Sequence, residues 1–169
     1  METVTATEVP EESTLRELLS EAHFHDAYRA ALHDASLTPV EIFLCTAKVT
    51  PAWVTGLMSL RNLIVRQFGL KDVGAMRDAT GKPAGDYRIG DRLGIFSVVG
   101  NSEHELLLGI DDRHLDVRVS VFKSRGKESQ SYVVSTVVKV HNWLGHFYMW
   151  PVGRIHPLVV KALMRRAVI

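Results

Sequence analysis

Between residues 93 and 141 apolar side chains recur with a period of two, and no other stretch constrains the fold so strongly. In Leu115-Asp116-Val117-Arg118-Val119-Ser120-Val121, Leu and Val hold the odd positions while Asp, Arg and Ser hold the even ones. In Tyr132-Val133-Val134-Ser135-Thr136-Val137-Val138-Lys139-Val140 the even positions are all apolar or Thr. Successive side chains of a strand leave on opposite faces, so each segment should carry one apolar face and one mixed face. Ser124-Arg125-Gly126-Lys127 supplies turn chemistry between the two runs, and Gly100-Asn101-Ser102 does so one hairpin earlier. The expected product is an antiparallel meander with strands over about 93–99, 103–110, 114–123 and 130–141.

Helix signals flank that block. In Thr38-Pro39-Val40-Glu41, Thr can accept from an orphan backbone N–H, Pro suits the first helical position, and Glu can return the hydrogen bond. A helix over about 39–48 should follow, with Ile42, Phe43 and Cys45 inward. Thr50-Pro51 opens a second helix in the same way. Val54, Leu57, Met58, Ile64, Val65 and Phe68 stack along one side of it, and Gly69-Leu70 closes it. Upstream, Thr14-Leu15-Arg16-Glu17 has capping-box spacing ahead of a short amphipathic piece built on Leu15, Leu18 and Leu19. Residues 23–32 alternate loosely around Phe24 and Tyr28 as a first strand. Residues 1–12, rich in Glu and Thr, are expected to form a mobile leader to a single domain over 13–169.

Residues 71–91 hold Gly74, Gly81, Pro83, Gly85 and Gly90 and break every pattern, as a mobile loop or the cover of a pocket mouth would. At the C-terminus Ile155, Val159, Leu163 and Ala167 recur at every fourth position. They predict a helix over about 154–167, with Lys161, Arg165 and Arg166 towards the end that favours cations. A separate turn over 143–150 is expected before it, and Pro157 either lies in its first turn or kinks a longer helix.

Composition limits what such a chain can do. Of 169 residues 46% are hydrophobic, enough for a core without metals or disulfides. The net charge of +1 provides no field to gather nucleic acid, so no nucleic-acid partner is expected. The single cysteine, Cys45, excludes an intrachain disulfide and suits a reducing compartment. The acidic, polar start has no basic or apolar targeting region, and no apolar run approaches the roughly 20 residues of a membrane span. A cytoplasmic setting is the expectation.

The order of elements is strand, two short helices, curved antiparallel sheet, long amphipathic helix. A sheet with one apolar face must be covered, and the last helix is the long element left to cover it. This is the α+β helix-grip, or START-like, arrangement, with a gap between sheet and helix. At this point particular segments matter: Pro51-Ala52-Trp53-Val54, Leu57-Met58-Ser59-Leu60-Arg61-Asn62, Phe68-Gly69-Leu70, Gly90-Asp91-Arg92-Leu93-Gly94-Ile95-Phe96, Asp111-Asp112-Arg113-His114-Leu115-Asp116-Val117-Arg118, His141-Asn142-Trp143 and His156-Pro157-Leu158. In these segments and their order the chain resembles the bacterial domain-of-unknown-function 2867 family (DUF2867), from about Leu15 onward. The resemblance implies membership of the SRPBCC helix-grip superfamily of ligand-binding domains and polyketide cyclases. A similar domain follows an NAD(P)-binding Rossmann domain in some proteins. No glycine fingerprint follows a strand and opens a helix in this chain, so no dinucleotide cofactor is expected. The resemblance brings no catalytic residues.

On this reading a small, mostly apolar molecule lies between sheet and C-terminal helix, with Leu57, Leu115, Val117, Val119, Val134, Val138 and Ile155 as candidate walls. Arg61, His114, Asp116 and Arg118 are the candidate polar contacts. Strand alternation favours an outer face for His114, Asp116 and Arg118, because Val117, Val119 and Val121 then face the covering helix. Arg61 has the alternative of a structural ion pair with Asp91 or Asp116. A cyclase- or hydratase-like enzyme using His114 or Asp116 as acid–base, and a module docking on a separate reductase, are the competing functions. The eight histidines lack metal-ligand spacing with cysteine or acidic partners, so no metal is expected. No Gly-x-Ser-x-Gly elbow is present, and Cys45 reads as inert core. Trp143, Phe147, Tyr148, Met149 and Trp150 should seal one end of the cavity, or else form a partner, homodimer or membrane-surface contact.

Overall fold

In the computed structural model the described residues are 3–67, 82–124, 130–167 and 169, and for Arg61 and residues 63–67 the description stops at the backbone. Among the described residues there are seven strands: β1 (Thr5–Ala6), β2 (Phe24–Ala31), β3 (Arg92–Leu93), β4 (Phe96–Asn101), β5 (Glu105–Asp111), β6 (Leu115–Lys123) and β7 (Ser131–Val140). They form one antiparallel sheet in the order β1-β2-β7-β6-β5-β4-β3. The alternating block thus supplies β4 to β7, and β2 joins it from far upstream by pairing Phe24 with Val138 and Ala31 with Ser131. The helices α1 (Pro39–Lys48) and α2 (Ala52–Gln67) separate β2 from β3, and α3 (Trp143–Arg166) follows β7.

Local chemistry accounts for the helix starts. Thr38 Oγ1 accepts from the Glu41 amide at 3.3 Å while the Glu41 carboxylate accepts from the Thr38 amide at 2.7 Å, closing the capping box ahead of Pro39. α1 and the first part of α2 meet at 90°. At the start of α3, Asn142 Oδ1 accepts from the Gly145 amide at 3.2 Å. Among the described residues no single helix is long and apolar enough to cross a membrane.

Both faces of the sheet are covered. On the inner face, Val119, Val121, Leu106, Leu108, Tyr28 and Val98 join Phe43 of α1 and Val160 and Met164 of α3 in the largest cluster. On the outer face, Ala27, Leu107, Val133 and Val137 pack against Val9 and Leu15. Leu15 belongs to a 3-10 helix, Thr14–Glu21, laid across that face. Two-sided burial explains the near-continuous apolar runs Leu106-Leu107-Leu108 and Tyr132-Val133-Val134.

Several expectations need correction. Residues 3–12 are not a loose leader: β1 pairs with β2, and Val9 is 2% exposed beneath the 3-10 helix. The cap of that helix is Ser13, which accepts from the Leu15 amide at 3.2 Å, because Thr14 Oγ1 donates instead to Glu105 at 2.7 Å. The C-terminal helix starts at Trp143, so residues 143–150 are its first turns, and Pro151 and Pro157 both lie inside it. The predicted stacking of Ile64, Val65 and Phe68, the cap at Gly69 and Leu70, the 124–127 turn beyond Ser124, and most of the 71–91 loop lie outside the described residues. The described end of that loop is anchored. Tyr87 is buried, Asn101 donates to its carbonyl at 3.2 Å, and Lys82 pairs with Asp91 at 3.1 Å.

Candidate functional site

A cavity of about 350 Å³ lies between the inner face of the sheet and the three helices. Its sheet wall includes Leu115, Val117 and Val119 from β6 and Val134 and Val138 from β7, the candidates that strand periodicity supplied. Across from them stand Met149, Val152, Val159 and Leu163 of α3, with Phe43 of α1 and Met58 of α2 closing the sides. Such a wall repels water and favours an apolar guest.

The other predicted walls miss the cavity. Residues four apart on a helix drift by about 40° per step, so the repeat beginning at Ile155 starts on the edge of the buried arc. Ile155 is accordingly 38% exposed, while Val152, His156 and Val159 reach the cavity. On α2 the lining arc runs through Val54, Thr55, Met58, Ser59 and Asn62, which leaves Leu57 to one side.

The predicted polar contacts also lie elsewhere. Asp116 and Arg118 belong to the outer face, where with Leu18, Glu21, Val137 and Lys139 they line a shallow depression. Asp116 pairs there with His141 at 2.9 Å and Arg118 with Asp111 at 2.6 Å. The reason is the period of two: once Val117 and Val119 turn inward, their neighbours turn outward. His114 does not line the cavity. Its Nδ1 meets Asn142 Oδ1 at 3.0 Å and helps to tie the start of α3 to the β5–β6 turn. An acid–base role in the cavity for His114 or Asp116 therefore has no geometric basis. The side chain of Arg61 lies outside the described residues. The anticipated ion-pair partners Asp91 and Asp116 are engaged by Lys82 and His141. Trp143, Phe147 and Trp150 do not seal the cavity either, being 77%, 70% and 68% exposed, whereas Tyr148 and Met149 line it.

Asn62, which like Arg61 breaks the apolar side of α2, lines the cavity, and further polar groups on its wall come from residues that periodicity did not single out. His156 of α3 lines the cavity, and its Nδ1 lies 2.8 Å from Oδ2 of Asp26 on β2. Asp26 shares the inner face with Phe24 and Tyr28, and its register partner on β7 is Thr136, another lining residue. The Phe24 ring stands edge-on to His156 with centroids 5.6 Å apart. Burial, and then the Asp26 carboxylate, push the Tyr28 hydroxyl up to about 12. One sequence signal was available: in the alternation Phe24-x-Asp26-x-Tyr28-x-Ala30, an acid occupies the apolar face. His156 had none, since the phase of α3 decides what it touches.

With this geometry in place, comparison with known proteins adds the family. Residues 18–163 match the family described as a protein of unknown function, DUF2867. The chain belongs to this family. The match runs from the 3-10 helix into the last turns of α3, so the Asp26–His156 pair and every cavity-lining residue but Met164 lie within the DUF2867 region. No curated protein and no solved structure matches the chain.

Proposed function

We propose that this DUF2867 protein is a helix-grip, START-like carrier that holds a small, mostly apolar molecule between the inner face of its sheet and α3. One observation carries the reading: an unfilled volume of about 350 Å³ walled by aliphatic side chains of β6, β7 and α3. Ordinary cores leave few voids larger than a water, whereas ligand sites run from roughly 300 to 1,000 Å³. The chain path supports it as well, with the first long strand β2 beside the last strand β7 and α3 returning across the inner face.

Fluorescence titration with N-phenyl-1-naphthylamine, a neutral apolar probe, tests the proposal. Saturable enhancement is expected for the native chain, with at least about tenfold weaker binding for Val119→Trp, which fills the cavity with an indole. No saturable signal, or equal binding by the filled variant, would overturn it. The exposed stripe Trp143, Phe147 and Trp150 favours a second reading, a surface that docks on a partner such as a reductase. Replacing these three by Ser should leave probe binding unchanged and remove only such docking.

A further inference from the structure

We propose that Asp26 and His156 form a proton-accepting dyad in the cavity wall, which selects apolar ligands carrying a weakly acidic hydroxyl, a phenol or an enol. The inference rests on the cavity being a ligand site and specifies what that ligand must present.

An ionised carboxylate only accepts hydrogen bonds, so at 2.8 Å from Asp26 Oδ2 the ring nitrogen Nδ1 carries the proton. In the neutral imidazole the lone pair then lies at Nε2, which makes no hydrogen bond among the described residues. The ring is held from two sides, by the carboxylate and by the edge of Phe24. Asp26 is the more buried member, its side chain 11% exposed against 24% for His156, and its carboxylate also faces the Tyr28 hydroxyl. The carboxylate fixes the tautomer and orients the ring, so the Nε2 lone pair is the accepting atom of the dyad. Tyr28 does not compete, because its hydroxyl stays protonated beside Asp26.

The step balances without a co-reactant. The ligand O–H bond breaks, its electron pair stays on oxygen, and the proton forms an N–H bond at Nε2. An imidazolium–carboxylate pair then faces an oxyanion. Thr136, across from Asp26 in register, places a hydroxyl donor on the same wall to receive it.

Three probes of similar shape separate this proposal from the cavity reading beneath it: naphthalene, 2-methoxynaphthalene and 2-naphthol, titrated by calorimetry. The native chain should bind 2-naphthol about tenfold more tightly than 2-methoxynaphthalene, which has no proton to give. His156→Phe keeps a ring against Phe24; whatever its affinity for naphthalene, it should lose the preference for 2-naphthol over 2-methoxynaphthalene, read as the ratio of the two affinities within the variant. A native chain without that preference, or a His156→Phe chain that keeps it, overturns the dyad while leaving the cavity standing. Failure of all three probes with the native chain overturns the cavity reading, and the dyad with it. Should His156→Phe lose naphthalene binding through misfolding, Asp26→Asn decides. It removes the obligate acceptor and frees the ring proton to sit on Nε2, so the preference should shrink several-fold, and an undiminished preference counts against the proposal.

Discussion

Glu105 is a buried acid on the outer face of β5, with Ser13 Oγ at 2.5 Å and Ser120 Oγ at 2.6 Å on one oxygen. The Thr14 amide at 3.0 Å and hydroxyl at 2.7 Å bind the other. Burial pushes its carboxyl up, but the hydrogen bonds from Ser120, Ser13 and Thr14 outweigh it and hold the group below the ordinary 4.5. A depressed folded value means stability present above 4.5 and lost as pH falls through the folded value. Glu105→Ala strands two buried hydroxyls and should cost about 1–3 kcal/mol in denaturant unfolding at pH 7. The gap between native chain and Glu105→Gln should close as pH drops below 4.5, and a gap that is flat with pH would refute the assignment. Gly145 makes a different demand. A Cβ there would run into the His114 carbonyl oxygen and lie 2.7 Å from a Val140 methyl. Gly145→Ala should therefore push α3 off the β5–β6 turn at a cost of about 1–3 kcal/mol, seen as a lower denaturant midpoint.

At the scale of elements, α3 has two opposed faces with unequal weight. Met164 is 1% exposed in the main cluster, so Met164→Ala should lose about 2–5 kcal/mol. Trp143, Phe147 and Trp150 lie in solvent, and each replacement by Ser should stay within about 0.5 kcal/mol of the native stability. Large losses at the exposed stripe would mean that something in the chain covers it. The helix also accommodates Pro151 and Pro157, each of which removes an N–H from its ladder. The guanidinium of Arg154 donates to the Trp150 carbonyl at 2.7 Å and lies 4.4 Å from the centre of the Trp150 ring, which ties the exposed side of that region together. The element boundaries that sequence placed best were those with local chemistry: the Thr38–Glu41 box starts α1 at Pro39 as expected. The run from Trp143 into α3 had no such signature, because its interior prolines read as stops, yet the helix continues through both of them.

For the whole molecule, the N-terminal segment matters more than its composition suggests. Val9 and Leu15 close the outer face against Leu107, Val133 and Val137, so Leu15→Ala should cost about 2–5 kcal/mol in thermal or denaturant unfolding. A silent substitution would mean that the segment is loose after all. The inner face has the reverse economy, since it leaves space. An apolar probe at about a hundredfold its Kd should raise stability by about 2.7 kcal/mol, measured as a higher Tm. The sequence by itself determined β2 and the strands β5 to β7, the capped start of α1 and the inward set Val117, Val119, Val134 and Val138, because period and caps act over a few residues. Only the tertiary structure decided that β2 closes onto β7, that β1 adds to its edge, that Val9 and Leu15 cover the outer face, and that Asp26 meets His156. Those contacts join segments far apart in the chain, and their energy comes from excluding water between surfaces that no local pattern pairs.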